Sequence, residues 1–208
     1  MKTSTRGLMA IMSHEGIVKS RYKDSKGIWT IGVGHTAAAG GINPYTFVGE
    51  MTLKEVLDLF RQDIVKYENG VNAAVKVPLK QHEFDALVSF HYNTGAISKA
   101  TLTKTLNAGN NALAGEQFMN WVSPPEVKGR RSLERSLFLN GVYPPPYATM
   151  YPADTAGRVL WSKGVKVSLS ELMNETPPPP DAPEPKPVQE TPEAPIETLA
   201  QAFAAFIA

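Results

Sequence analysis

Hydrophobic positions give the first reading of this chain. From residue 52 to 69, Leu53, Val56, Leu57, Phe60, Ile64 and Tyr67 recur at helical spacing, behind a Thr52-Leu53-Lys54-Glu55 capping box and ahead of Gly70. This predicts a long helix over 52–69. Shorter helical patterns run through 80–92 (Phe84, Leu87, Val88, Phe90), 100–107, 110–121 and 130–139. Near the start, Thr3, Ser4 and Thr5 offer caps to a helix carrying Leu8, Ile11 and Met12, with Gly16 as its stop. Between these helices the period falls to two. Residues 20–23 and 28–33 read as strands around Asp24-Ser25-Lys26-Gly27, whose leading Asp and closing Gly suit a type I turn. A small β region followed by several helices is an α+β arrangement.

After Gly141 the character changes. Residues 144–175 form an appendix with two short β-like runs, 158–161 and 165–169, behind Tyr143-Pro144-Pro145-Pro146. Residues 176–195 are a proline-rich acidic linker, expected to be extended. In 196–208, Ile196, Leu199, Phe203, Phe206 and Ile207 fall along one helical face, so a short apolar amphipathic helix is expected there. It would dock on its own domain or contact a partner or a membrane.

Composition narrows the function classes. The 208 residues are 42% hydrophobic and 20% charged, as in soluble globular chains. The net charge of +1 conceals a division: 20 basic against 13 acidic residues up to 170, then one against seven. A cationic body suits an anionic target such as a bacterial wall or nucleic acid. Without cysteine, disulfides, thiolate zinc sites and thiol nucleophiles are excluded. The apolar run 7–12 is too short for a signal-peptide core or a membrane span, so no conventional export signal is read.

The stretch from Glu15 to His35 carries the chemistry. Glu15 falls in the last turn of its helix, where the dipole disfavours a negative charge. Alternation from Ile28 onward puts Thr30, Gly32 and Gly34 on one face, and Trp29, Ile31, Val33 and His35 on the other. A face with two missing side chains is where a ligand can approach the backbone. With Glu15 and Asp24 flanking it, two carboxylates would share a roomy cleft. Glycosidic cleavage uses such a pair, one to protonate the leaving oxygen and one to activate water or stabilise the cationic sugar.

Glu15, Asp24 and Thr30 stand in a Glu-x8-Asp-x5-Thr pattern inside "YKDSKGIWTIGVGH". Downstream follow "ALVSFHYNTG", "ATLTKTLNAGN" and "GRRSLERSLFLNG". Together these segments resemble the phage-type lysozymes of glycoside hydrolase family 24, over roughly residues 5 to 143. The resemblance implies a lysozyme-like fold: a small N-terminal β lobe and a larger helical lobe joined by the long helix, with residues 1–143 as the catalytic domain. It implies a muramidase that hydrolyses the β-1,4 bond between N-acetylmuramic acid and N-acetylglucosamine in peptidoglycan, by inversion, for host cell lysis. Glu15 would be the general acid, Asp24 the residue activating water, and Thr30 the second hold on that water. Gly32, Gly34, Tyr92 and Asn93 would line the sugar site. His35 and Asp63 would form a structural ion pair; Arg130, Arg131 and Arg135 would be candidates for the carboxylates of peptide stems, with Arg131 alternatively in a structural salt bridge.

No cofactor, metal or nucleic acid enters this reading. The expected partners are peptidoglycan and, indirectly, a holin that lets a monomeric enzyme pass from the host cytoplasm to the periplasmic wall. A virion-associated lysozyme, a lytic transglycosylase and an inactive wall-binding module are the alternatives. The intact triad argues against the last two.

Overall fold

The computed structural model describes residues 1–168, 170 and 171. The expected linker over 176–195 and helix over 196–208 lie outside them. Helix α1 spans Thr5–Glu15; the Ser4 hydroxyl accepts from the Gly7 amide at 3.0 Å, and the helix stops at Gly16, with φ at 77°. Strands β1 (Val18–Lys23), β2 (Trp29–Gly32) and β3 (His35–Thr36) form an antiparallel sheet in that order. Helices α2 (Leu53–Ala74), α3 (Gln81–Thr94), α4 (Thr101–Asn107), α5 (Asn111–Glu116) and α6 (Lys128–Asn140) follow. Last come β4 (Tyr147–Met150) and β5 (Val165–Ser168), an antiparallel pair. The small β lobe and the helical lobe, with long α2 between them in the chain, give the α+β, lysozyme-like fold.

Three local differences from the sequence reading have physical causes. Helix α2 runs past Gly70 to Ala74, because Gly70 serves packing rather than termination. A Cβ there would fall 2.4 Å from Nε2 of His91 on α3. The second strand ends at Gly32 instead of Val33. The chain reverses through Val33 and Gly34, with Gly32 and Gly34 at φ of 68° and 75°, so that His35 pairs with Ile31. In the appendix, residues 158–161 do not form a strand; the partner of Val165–Ser168 is Tyr147–Met150, directly after the prolines.

One hydrophobic core spans both lobes. Ile11, Ile17, Ile31, Phe60 and Phe90 are fully or almost fully inaccessible and belong to one cluster. Phe90 meets Phe118 and Trp121 edge to face at 5.5 and 5.2 Å. Appendix residues Ala148 and Val167 join this core, so 147–168 is part of the same compact unit.

Candidate active site

Glu15 is the final residue of α1, facing the negative helix pole. Its compensation comes from α6, where Nη1 of Arg130 donates to Glu15 Oε1. Behind that contact lies a buried chain of charges. Arg130 Nε is 2.9 Å from Glu134 Oε1, and its Nη2 donates to the Ser89 carbonyl at 3.1 Å. Glu134 Oε2 accepts from Arg131, whose other nitrogens reach Asn93 Oδ1 and the Trp121 carbonyl. Burial works against the Arg130 charge, but Glu134 and Glu15 outweigh it and raise its pKa. The neighbouring His14 moves the opposite way. Burial first, then Arg130 and Arg131, lowers its pKa to about 4.

Asp24 opens the turn between β1 and β2. Its Oδ1 accepts from the amides of Lys26 and Ile28 at 2.8 and 2.9 Å, while its carbonyl accepts from Gly27. Among the described residues nothing donates to its Oδ2, and nothing donates to Oε2 of Glu15. Each carboxylate therefore has one oxygen held in place and one open.

Tyr22 lies in the field of both carboxylates. It pairs with Thr30 across the β1–β2 ladder, which puts both on the same face of the sheet. Its hydroxyl pKa is raised to about 12, by burial and then by the charges of Glu15 and Asp24. Both carboxylates thus stand within electrostatic reach of one phenol. Thr30 is buried, and its hydroxyl donates to the Ile28 carbonyl at 3.0 Å, leaving its lone pairs to accept.

The other anticipated residues fall in several places. Gly32 is buried, and a Cβ there would lie 3.8 and 3.9 Å from Leu59 and Val56. That is ordinary contact, so a methyl would fit against α2, and what this position requires of glycine is its φ of 68°. Gly34 is exposed, and a Cβ there would stand 3.2 Å from the Tyr92 hydroxyl. Tyr92 donates to the Val33 carbonyl at 2.6 Å and packs on Phe60 and Tyr67, so it holds the β2–β3 turn against α3. Burial, then Glu15, Tyr67 and Asp63, pushes its pKa upward. Asn93 is exposed but has its oxygen engaged by Arg131.

His35 Nδ1 sits 2.9 Å from Asp63 Oδ2, and Nε2 sits 2.8 Å from the Ile42 carbonyl, so both ring nitrogens are engaged. Arg130 and Arg131 turn inward, which removes them as hooks for peptide carboxylates. Arg135 remains at the surface beside Glu116, at 3.0 Å. Sequence reasoning missed Tyr22 and the link from Arg130 to Glu15. The first was legible as a tyrosine two residues before Asp24 on a strand; the second joins positions 115 residues apart and leaves no local signal.

Two hollows of about 180 and 350 Å³ lie along the seam between β1, the loop before α2 and the appendix; neither is lined by Glu15, Asp24 or Thr30.

The phage lysozyme family model matches residues 12–135. The endolysin of Salmonella phage P22 is 34% identical over 146 residues, which cover 67% of this chain and 99% of that protein. The endolysin of Bacillus phage PZA is 35% identical over 68% of this chain, which spans 56% of that relative's length. Among solved structures, the endolysin from Escherichia coli O157:H7 phage FAHEc1 matches with a TM-score of 0.63 and 36% identity, over 69% of this chain and 97% of that one.

Proposed function

Because the chain belongs to the phage lysozyme family, and so to the glycoside hydrolases of muramidase type, we propose that it acts as an endolysin. In this reading it cleaves the β-1,4 bond from N-acetylmuramic acid to N-acetylglucosamine, with inversion. The observation that carries the proposal is the pair of half-engaged carboxylates, Glu15 and Asp24, whose charges both act on the Tyr22 hydroxyl, with Thr30 facing Tyr22 across the ladder.

Arg130 fixes one oxygen of Glu15, so the other carries and delivers the proton to the leaving glycosidic oxygen. The amides of Lys26 and Ile28 fix one oxygen of Asp24, so the other takes a proton from the attacking water. The Thr30 hydroxyl accepts a second hydrogen bond from that water. Attack from the face opposite the leaving group inverts the anomeric carbon, and needs a water to fit between the carboxylates. A general acid and base so placed contribute about 10²–10⁴-fold each.

The wall is the partner in this role. The enzyme works as a monomer in the periplasm after a holin opens the route from the host cytoplasm. Among the described residues no helix is long and apolar enough to cross a membrane.

Digestion of purified sacculi tests the bond and the outcome together. Mass spectrometry should show muropeptides ending in reducing N-acetylmuramic acid, and proton NMR during the reaction should show the α-anomer first. Reducing N-acetylglucosamine ends would move the cut to the other bond. Anhydro-muramic ends would identify a transglycosylase, and the β-anomer first would refute inversion.

A further inference from the structure

The family match ends at residue 135, yet the chain continues into the same compact unit. Its appendix touches the backbone beside both carboxylates. Two residues after Glu15, the Ile17 amide donates to the Thr149 carbonyl at 2.9 Å and the Ile17 carbonyl accepts from the Tyr151 amide at 2.8 Å. One residue before Asp24, the Lys23 amide donates to the Gly157 carbonyl at 2.8 Å. Nine residues of appendix, 149–157, thus bridge the end of α1 and the tip of the β1–β2 hairpin. Those two places are structurally weak: a helix C-terminus frays, and a two-stranded tip has no third strand to hold it.

The contact surfaces are closely fitted. Gly16 has φ at 77°, and a Cβ on it would meet the Tyr151 ring at 3.1 Å. Gly157 has φ at 81°, and a Cβ on it would meet the Trp29 ring at 2.7 Å. Residues 154–158 also repeat the catalytic turn. Asp154 Oδ1 accepts from the amides of Ala156 and Arg158 at 3.0 and 2.9 Å, and its carbonyl accepts from Gly157, as Asp24 does with Lys26, Ile28 and Gly27. One difference separates the two turns. Asp154 Oδ2 is closed off by Arg158 at 2.8 Å, whereas Asp24 leaves that oxygen open. The second turn is a structural copy braced against the first.

We propose that residues 147–158 are a positioning strap, which sets where Glu15 and Asp24 stand relative to each other. It touches neither carboxylate. It acts through Ile17 and Lys23, so Tyr151 and Gly157 are positioning residues. The inference rests on the glycosidase reading above.

Its test uses the full chain and soluble peptidoglycan fragments. Gly157→Ala forces a methyl into the Trp29 ring and lifts the strap from the hairpin. Tyr151→Ala removes the ring over Gly16, and Tyr151→Phe restores that ring without its hydroxyl. Loosened geometry costs the transition state more than ground-state binding. Gly157→Ala and Tyr151→Ala should therefore lose about tenfold or more in kcat, with KM within about twofold. Tyr151→Phe should match wild type, as should Ile97→Val, a core change in the helical lobe that lowers Tm without touching the strap. Wild-type kcat in Tyr151→Ala or in folded Gly157→Ala would overturn the proposal, and so would an equal loss in Tyr151→Phe or Ile97→Val. If Gly157→Ala fails to fold, the Tyr151 pair decides. A wild-type protein inactive on these fragments would instead overturn the glycosidase reading itself.

Discussion

Replacing Glu134 by Gln removes one charge from the buried cluster behind Glu15. The Glu134 side chain is 1% exposed and accepts from Arg130, Arg131 and Ser89. The side chains of Arg130 and Arg131 are 8% and 1% exposed, and the other carboxylate in the cluster, Glu15, is 27% exposed. In Glu134→Gln two buried guanidinium groups therefore share a single, partly solvated counter-charge. The new amide nitrogen also faces a guanidinium donor. Breaking a buried pair from one side costs about 3–5 kcal/mol, since the remaining charge stays desolvated. For a domain of this size that corresponds to a Tm lower by about 6–20 °C. Urea and thermal unfolding followed by circular dichroism at pH 7 read the change. The internal comparison is Lys54–Asp58 on α2, with side chains 70% and 44% exposed, where Asp58→Asn should cost below about 0.5 kcal/mol. A loss under about 1 kcal/mol in Glu134→Gln would show that water or a rearranged neighbour already solvates the arginines, and would refute the reasoning.

Two further outcomes follow from the same geometry. His14 has its folded pKa lowered from 6.5 to about 4, so between those values the unfolded chain binds the proton that the folded one refuses. Its contribution to stability is full above pH 6.5 and is lost as the pH falls to about 4, a total of about 3 kcal/mol. Denaturation at several pH values should show this slope and His14→Gln should flatten it; an unchanged slope would contradict the burial argument. Asp24→Asn keeps an oxygen for the Lys26 and Ile28 amides, so Tm should move by no more than about 2 °C while kcat falls about 10²–10⁴-fold. Retained activity would remove Asp24 from the chemistry.

Sequence patterns exposed the parts of the fold governed by local rules. The Thr52–Glu55 box forms both reciprocal bonds, and the turn at Asp24 closes on Gly27 as its chemistry requires. Local reasoning failed where a distant partner decided the outcome. Gly70 reads as a helix stop until His91 is seen packed over it. Arg130 and Arg131 stand four and three residues before Glu134 on one helix, a pairing open to local rules, but only the tertiary fold brings Arg130 to Glu15. The strap is the extreme case. Its hydrogen bonds to Ile17 and Lys23 are between backbone groups, and such groups look the same in every sequence.

The most direct test of the account compares wild type with Glu15→Gln for release of soluble muropeptides from purified peptidoglycan. Gln fills the same space and can still accept from Arg130, but it has no proton to deliver to the leaving oxygen. The account predicts an unchanged circular dichroism spectrum, continued binding to the wall, and a rate lower by about 10²-fold or more. Release at the wild-type rate would show that the proton comes from another group, and would contradict the assignment of Glu15 as the acid.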